Sequence, residues 1–197
     1  MANIIITGAS SGIGFEAVLD LTANKEHKVI ALARSADKLR KLHEIATSLN
    51  YDGGTLYPAQ FDIVNDNYEE ALLPFIKSKF DSVDILINNA GALINKPFME
   101  TSLAEFADSL NSNFMGHIAM IQHIAPLMNN GGHIVNISSM GGFQGSAKFA
   151  GLSAYSASKA ALAVLTECLA EEFKEQQIKV NCQALGSSQT EMFEAAF

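Results

Sequence analysis

Tyr155 and Lys159 stand four residues apart in "AYSASKAAL" (154–162), a run of small residues that reads as helix. One helical turn puts both side chains on one face, where an ammonium favours ionisation of a phenol. A free phenol ionises near pH ~10, too high for an efficient base at neutral pH, so the neighbouring cation is the residue that would tune it. Upstream, "ISS" (137–139) supplies hydroxyls that can donate to a substrate oxygen while accepting from a neighbour. Strand alternation turns one of Ser138 and Ser139 toward such a site. Reduction of a carbonyl needs these parts, a proton donor and a polarising group, together with a hydride source.

A hydride source is suggested by "TGASSGIG" (7–14), which joins an apolar run to an amphipathic one. Gly8, Gly12 and Gly14 permit positive φ and close backbone approach. With Ser10, Ser11 and Ile13 they form a loop that can wrap a phosphate against the free amides of a helix start. The spacing is neither GxGxxG nor that of a nucleoside triphosphatase loop, and no lysine follows to hold a terminal phosphate. After the second apolar run comes Arg34, where a fold preferring NAD would offer a carboxylate to the ribose. A guanidinium there can pair with a 2′-phosphate, so NADP(H) is the expected cofactor, with NAD(H) as the alternative.

These residues must be positioned by an alternating framework. Strand-like runs occur at 3–7, 28–33, 55–61, 83–88, 133–138 and 178–183, rich enough in aliphatic residues for burial on both faces. Helical spacing lies between them, as in Leu103, Phe106, Leu110, Phe114, Ile118 and Ile121, and again from Leu162 to Phe173. Five βα repeats closed by a strand predict an α/β fold, a Rossmann-like doubly wound parallel sheet in three α/β/α layers, with ligands at the carboxyl ends of the strands. With 197 residues, 48% of them hydrophobic, we expect one domain over 1–197. A net charge of −8 disfavours nucleic acid and anionic membranes as partners. No apolar run approaches the roughly 20 residues of a membrane span. Cys168 and Cys182 lack any disulfide or zinc spacing, so a reduced, cytoplasmic protein without metal is expected. His117 and His123, on one helix without ligand partners, read as structural, and Met115, Met120 and Met128 as packing residues.

Five ordered signals, "TGASSGIG", "NNAG" (88–91), "NFMG" (113–116), "ISS" and "YSASK" (155–159), make the chain from Met1 to about Met192 resemble the short-chain dehydrogenase/reductase family. The resemblance implies a tetrad of Asn113, Ser139, Tyr155 and Lys159. Tyr155 would be the general acid/base, Ser139 would orient the oxygen, Lys159 would also hold the nicotinamide ribose, and Asn113 would hold a relay water. Ser139 is favoured over Ser138 because the family's Ser-x-x-Gly pattern then places Gly142. Asp62, with Ile63, would meet the adenine; Asn89, Ala90 and Gly91 would let the backbone pass close to the ribose; Thr190 would contact the nicotinamide carboxamide or the pyrophosphate. A homodimer or homotetramer built on the helices around 103–129 and 154–176 is implied as well.

The chain departs from that family in three places. Residues 140–154 are longer than usual, and their glycines suggest a lid over the substrate, with Phe143, Lys148 and Phe149 shaping the pocket. Leu185 stands where proline is usual, although Gly186 and Thr190 match. The family's last helix and strand are missing, which would leave strand six as an apolar edge, so the natural protein is expected to continue past Phe197. The leading expectation is NADP(H)-dependent hydride transfer to or from a small carbonyl or secondary alcohol. A dinucleotide-binding regulator without turnover is the alternative.

Overall fold

In the computed structural model, which describes residues 1–49, 53–187 and 194, six parallel strands lie in the order β3-β2-β1-β4-β5-β6. They are β1 (Ala2–Thr7), β2 (His27–Ala33), β3 (Thr55–Gln60), β4 (Val83–Asn88), β5 (Met128–Ser139) and β6 (Lys179–Leu185). The helices between them are α1 (Gly12–Ala23), α2 (Ala36–Leu49), α3 (Leu73–Lys79), α4 (Leu103–Leu110), α5 (Gly116–Ile124) and α6 (Ser153–Glu172). Alternation along the strands divides the core in two. Ile5, Ile30, Leu86 and Ile134 face Met120, Ile121 and Ile124 of α5, whereas Ile4, Ile6, Val29 and Ala31 face Val18 of α1 and Leu39 and Leu42 of α2. The three-layer α/β expectation holds. No helix among the described residues is long and apolar enough to cross a membrane.

Because β1 is flanked by β2 and β4, the chain reverses its direction of travel across the sheet there. Loops leaving β1 and β4 diverge at that point and open a crevice beyond their carboxyl ends. Two elements differ from the sequence expectation. β5 begins at Met128 rather than 133, through a stretch where the register with β4 shifts between Val83 and Ile85 and Gly131 adopts φ +88°. The expected continuous helix from 103 is interrupted by a π-type turn over Asn111–Met115, closed by the Gly116 amide donating to the Asn111 carbonyl. Of the expected apolar stripe, Leu103 and Leu110 are exposed, and the buried face runs through Ser109, Asn113, His117, Met120, Ile121 and Ile124.

Candidate active site

The crevice encloses about 590 Å³ and runs from the turn after β2 to the start of α6. At its centre Gly8 (φ +68°) and Gly12 (φ +54°) turn the chain from β1 into α1. A Cβ on Gly8 would stand 2.6 Å from the Ala90 Cα, and one on Gly14 would collide with the Gly8 carbonyl oxygen and the Asn89 amide nitrogen. Ser11, the N-cap of α1, makes no side-chain capping bond, and no acidic residue occupies the first turn. The first helical amides are thus left for an outside acceptor, with Ser10, Ser11, Gly12 and Ile13 lining the crevice. That cradle suits a dinucleotide pyrophosphate.

Thr7, which the sequence reading passed over, ties this loop to the next. Its hydroxyl oxygen accepts from the amides of Asn89 and Ala90, each at 3.0 Å, while the Asn89 side chain donates to the carbonyls of Thr7 and Gly8 at 3.0 and 3.1 Å. "NNAG" is therefore a strut as well as a thin wall. At the far end Arg34 lines the crevice beside Ser35 and Lys38, one turn further along α2. The first turn of α2 is held by the Ser35 hydroxyl, which accepts from the Lys38 amide at 3.3 Å. Lys38 could have been found by asking which residues share a helical turn with Arg34.

Asp62 and Ile63 line the same end. The Asp62 carboxylate accepts from the Val64 amide at 2.9 Å and from Asn65 at 3.1 Å. Burial raises its pKa, but these bonds and the Arg34 charge outweigh burial and hold the carboxyl below its ordinary range. Ile63 is fixed from behind: its carbonyl accepts from the Tyr68 hydroxyl at 2.7 Å, and Tyr68 stacks on His123 with ring centroids 4.3 Å apart. His123 is structural, as expected.

At the other end α6 presents Tyr155 and Lys159 to the carboxyl end of β5. Ser138 is buried and donates to the Lys159 carbonyl at 2.8 Å, whereas the Ser139 oxygen accepts from the Gly141 amide at 3.1 Å and its hydroxyl lies beside Tyr155. The expected depression of the phenol is absent. Burial raises the Tyr155 pKa, and hydrogen bonding with Ser139 opposes that only in part. Lys159 stands too far off to reverse it, with its nitrogen 6.0 Å from the Tyr155 ring centroid and donating to the Ile137 carbonyl at 2.8 Å. Burial brings the lysine itself down to about 8.

Asn113 is fully buried at the π-type turn. Its amide group donates to the carbonyls of Ala92 (2.8 Å) and Ser109 (3.0 Å), and its oxygen accepts from the Ala92 amide (3.0 Å). The side chain is a clamp on the chain after "NNAG". A Cβ on Gly91 would lie 2.6 Å from that oxygen and 3.5 Å from the Lys159 nitrogen, so glycine lets the three groups converge. Beneath them the Ser109 and Ser158 hydroxyls meet at 3.4 Å, and Ser158 donates to the Tyr155 carbonyl at 2.7 Å. His117 is wholly buried one turn beyond Asn113; neither ring nitrogen reaches good hydrogen-bond geometry, although the Ala90 backbone lies close enough to favour the charged ring. Burial and the Lys159 charge lower its pKa to about 3 against the pull of the Ala90 backbone, so it stays neutral. The glycines of the 140–154 segment differ from expectation. A Cβ on Gly142 would lie 2.6 Å from the Lys159 carbonyl carbon, so that glycine permits contact with α6, whereas only open space surrounds Gly145. Leu185 and Gly186 line the crevice. Thr190 lies outside the described residues.

The sequence profile of the short chain dehydrogenases matches residues 2–197. The chain belongs to the short chain dehydrogenase family. Among members of that family, it is 33% identical over 180 residues to a fatty acyl-CoA reductase of Acinetobacter baylyi, an alignment covering 89% of this chain and 59% of the relative. It is 34% identical over 160 residues to the NADP-dependent 3-hydroxy acid dehydrogenase of Escherichia coli, covering 80% of this chain and 60% of the other. The chain thus spans about three fifths of both curated relatives. A short chain dehydrogenase from Escherichia coli CFT073, solved with NADPH, superposes with a TM-score of 0.87 at 30% identity over all of this chain and 81% of that one. This short chain dehydrogenase is accordingly an oxidoreductase.

Proposed function

We propose that residues 1–197 form one dinucleotide-binding catalytic domain that reduces a carbonyl to an alcohol with NADPH. The observation that carries this reading is the meeting of Ser139, Tyr155 and Lys159 at one end of a crevice whose other end holds Arg34, Ser35 and Lys38. Two cations beside a hydroxyl suit a 2′-phosphate, and a relative and a structural neighbour are described with NADP or NADPH. The bound cofactor supplies the hydride; this chain's residues supply everything else. Ser139 donates a hydrogen bond to the substrate oxygen. Tyr155, whose phenol is held above its ordinary pKa by burial, delivers the proton as negative charge develops there. Lys159 places an ammonium behind the phenol and toward Gly91, where ribose hydroxyls would pass. Asn113 keeps the 91–92 turn in place; a relay water near it would be held by atoms other than its committed side chain.

Exposed Leu103 and Leu110 on α4 and Val164 on α6 support a homodimer or homotetramer through those helices. Light scattering of the purified protein should give at least twice the monomer mass. To separate catalysis from dinucleotide sensing, NADPH oxidation is followed at 340 nm with a panel of ketones. Turnover is expected; tight NADPH binding without turnover would instead support a regulatory protein.

A further inference from the structure

Charge is distributed unevenly along the crevice. Arg34, Lys38 and Asp62 all lie at its far end, around the turns after β2 and β3. Around Tyr155 the wall is made by Leu93, Met140, Phe149, Leu152 and Leu185, with Lys159 as the single charged side chain among the described lining residues. Lys159 is buried and committed to the Ile137 carbonyl. The next cation along the chain, Lys148, does not line the crevice; its ammonium donates to the Phe143 carbonyl at 2.5 Å and to the Ser146 hydroxyl at 2.6 Å. Among the described lining residues none would offer a free counter-charge to a substrate carboxylate or phosphate next to the reacting carbon, whose desolvation would then be costly.

The same wall continues outward as exposed apolar surface. Met140 is 42% exposed, Phe143 54% and Phe149 64%. Two residues beyond Phe149, the Gly151 carbonyl accepts from the Lys96 amide at 2.9 Å, which fastens this segment beside the turn carrying the exposed Phe98 and Met99. Apolar side chains thus extend from Leu93 and Leu152 in the crevice to Met140, Phe143 and Phe149 toward the rim, interleaved on the outer turn with Gln144, Ser146 and Lys148.

Resting on the reading of the site as a carbonyl reductase, we propose that its substrate is an uncharged ketone with an apolar chain, lying over Met140 and Phe149. Phe149 then determines specificity for chain length without taking part in the chemistry. The ketone carbon gains hydride, its oxygen gains the Tyr155 proton, and NADPH is oxidised to NADP⁺.

The test uses the purified protein, NADPH and the methyl ketones from butan-2-one to decan-2-one, with 2-oxooctanoate as a charged counterpart of octan-2-one. Burial of each added methylene should raise kcat/KM about fourfold until these apolar side chains are covered. Octan-2-one should exceed 2-oxooctanoate by more than about 100-fold. Phe149→Ser should raise KM for octan-2-one by about tenfold while leaving butan-2-one unchanged. A flat chain-length series, or a preference for the oxo acid, would overturn the substrate class while leaving the reductase reading intact. A flat series joined to a lowered unfolding temperature in Phe149→Ser would show that protein covers this face, and overturns it as well. No turnover with any carbonyl despite NADPH binding removes both readings.

Discussion

The two ends of the crevice are built by opposite means. Around Gly8 and Gly14 the walls are bare backbone, so close that added methyl groups would meet main-chain atoms, and Thr7 and Asn89 bolt the two loops together. Around Phe149 the walls are side chains on a surface turn, several of them open to solvent. Backbone contact can hold only one shape of ligand, whereas side chains on a turn can be exchanged without disturbing the sheet. A fixed cofactor and a variable substrate follow from that difference.

Five substitutions probe the contrast, beginning with the residue at its boundary. Tyr155→Phe should lower kcat by about 10³-fold, in keeping with loss of a general acid, while NADPH binding measured by fluorescence titration stays within about twofold. Unchanged turnover would remove Tyr155 from the chemistry. Glycine substitution compares the ends directly. Gly14→Ala should cost about 3 kcal/mol in urea unfolding because backbone must move, and Gly145→Ala about 1 kcal/mol because only its φ of +82° resists. Equal costs would mean that the two ends are equally rigid. Arg34→Ala should raise the KM for NADPH about 30-fold and leave that for NADH unchanged, reflecting one lost charge-assisted contact. An effect as small as that of the Gly145 change belongs to His117→Leu, which should raise stability by about 1 kcal/mol at pH 7 by removing poorly paired buried nitrogens. The pH dependence has a definite sign. With a folded pKa of about 3 against an ordinary 6.5, the His117 contribution is complete above pH 6.5 and erodes as pH falls toward 3, when the unfolded chain alone takes up the proton. The advantage of the leucine variant should therefore widen in acid; a constant difference from pH 7 to 4 would show that His117 ionises freely in the folded protein.

Legibility in the sequence follows the same division. Gly8, Gly12 and Gly14, "NNAG" and the Tyr155–Lys159 spacing could be read because backbone shape and helical periodicity restrict residue type directly. The strands were equally plain, since burial on both faces demands continuous aliphatic runs. Thr7 was not, because a threonine ending a strand is ordinary until a second loop is known to dock on it. Ser109 and Ser158 meet from two helices 49 residues apart, and no local pattern encodes that contact. The state of Tyr155 was misjudged for a related reason: spacing brings a lysine to the right face but leaves unknown whether a carbonyl such as that of Ile137 will claim its ammonium. The π-type turn that brings Asn113 inward has no apolar signature, because the face buried around it carries Ser109, Asn113 and His117 while Leu103 and Leu110 are exposed.

Gly142 gives the catalytic end its own hard stop. Because its missing side chain lets the turn after β5 rest on the Lys159–Ala160 peptide, strand and helix meet main chain to main chain at the point from which Ser139 and Tyr155 diverge. Rotamer changes in the core cannot alter that gauge. The separation of the two hydroxyls is machined into the peptide chain, and drift in the surrounding sequence can reshape what the enzyme grips long before it disturbs the spacing with which it works.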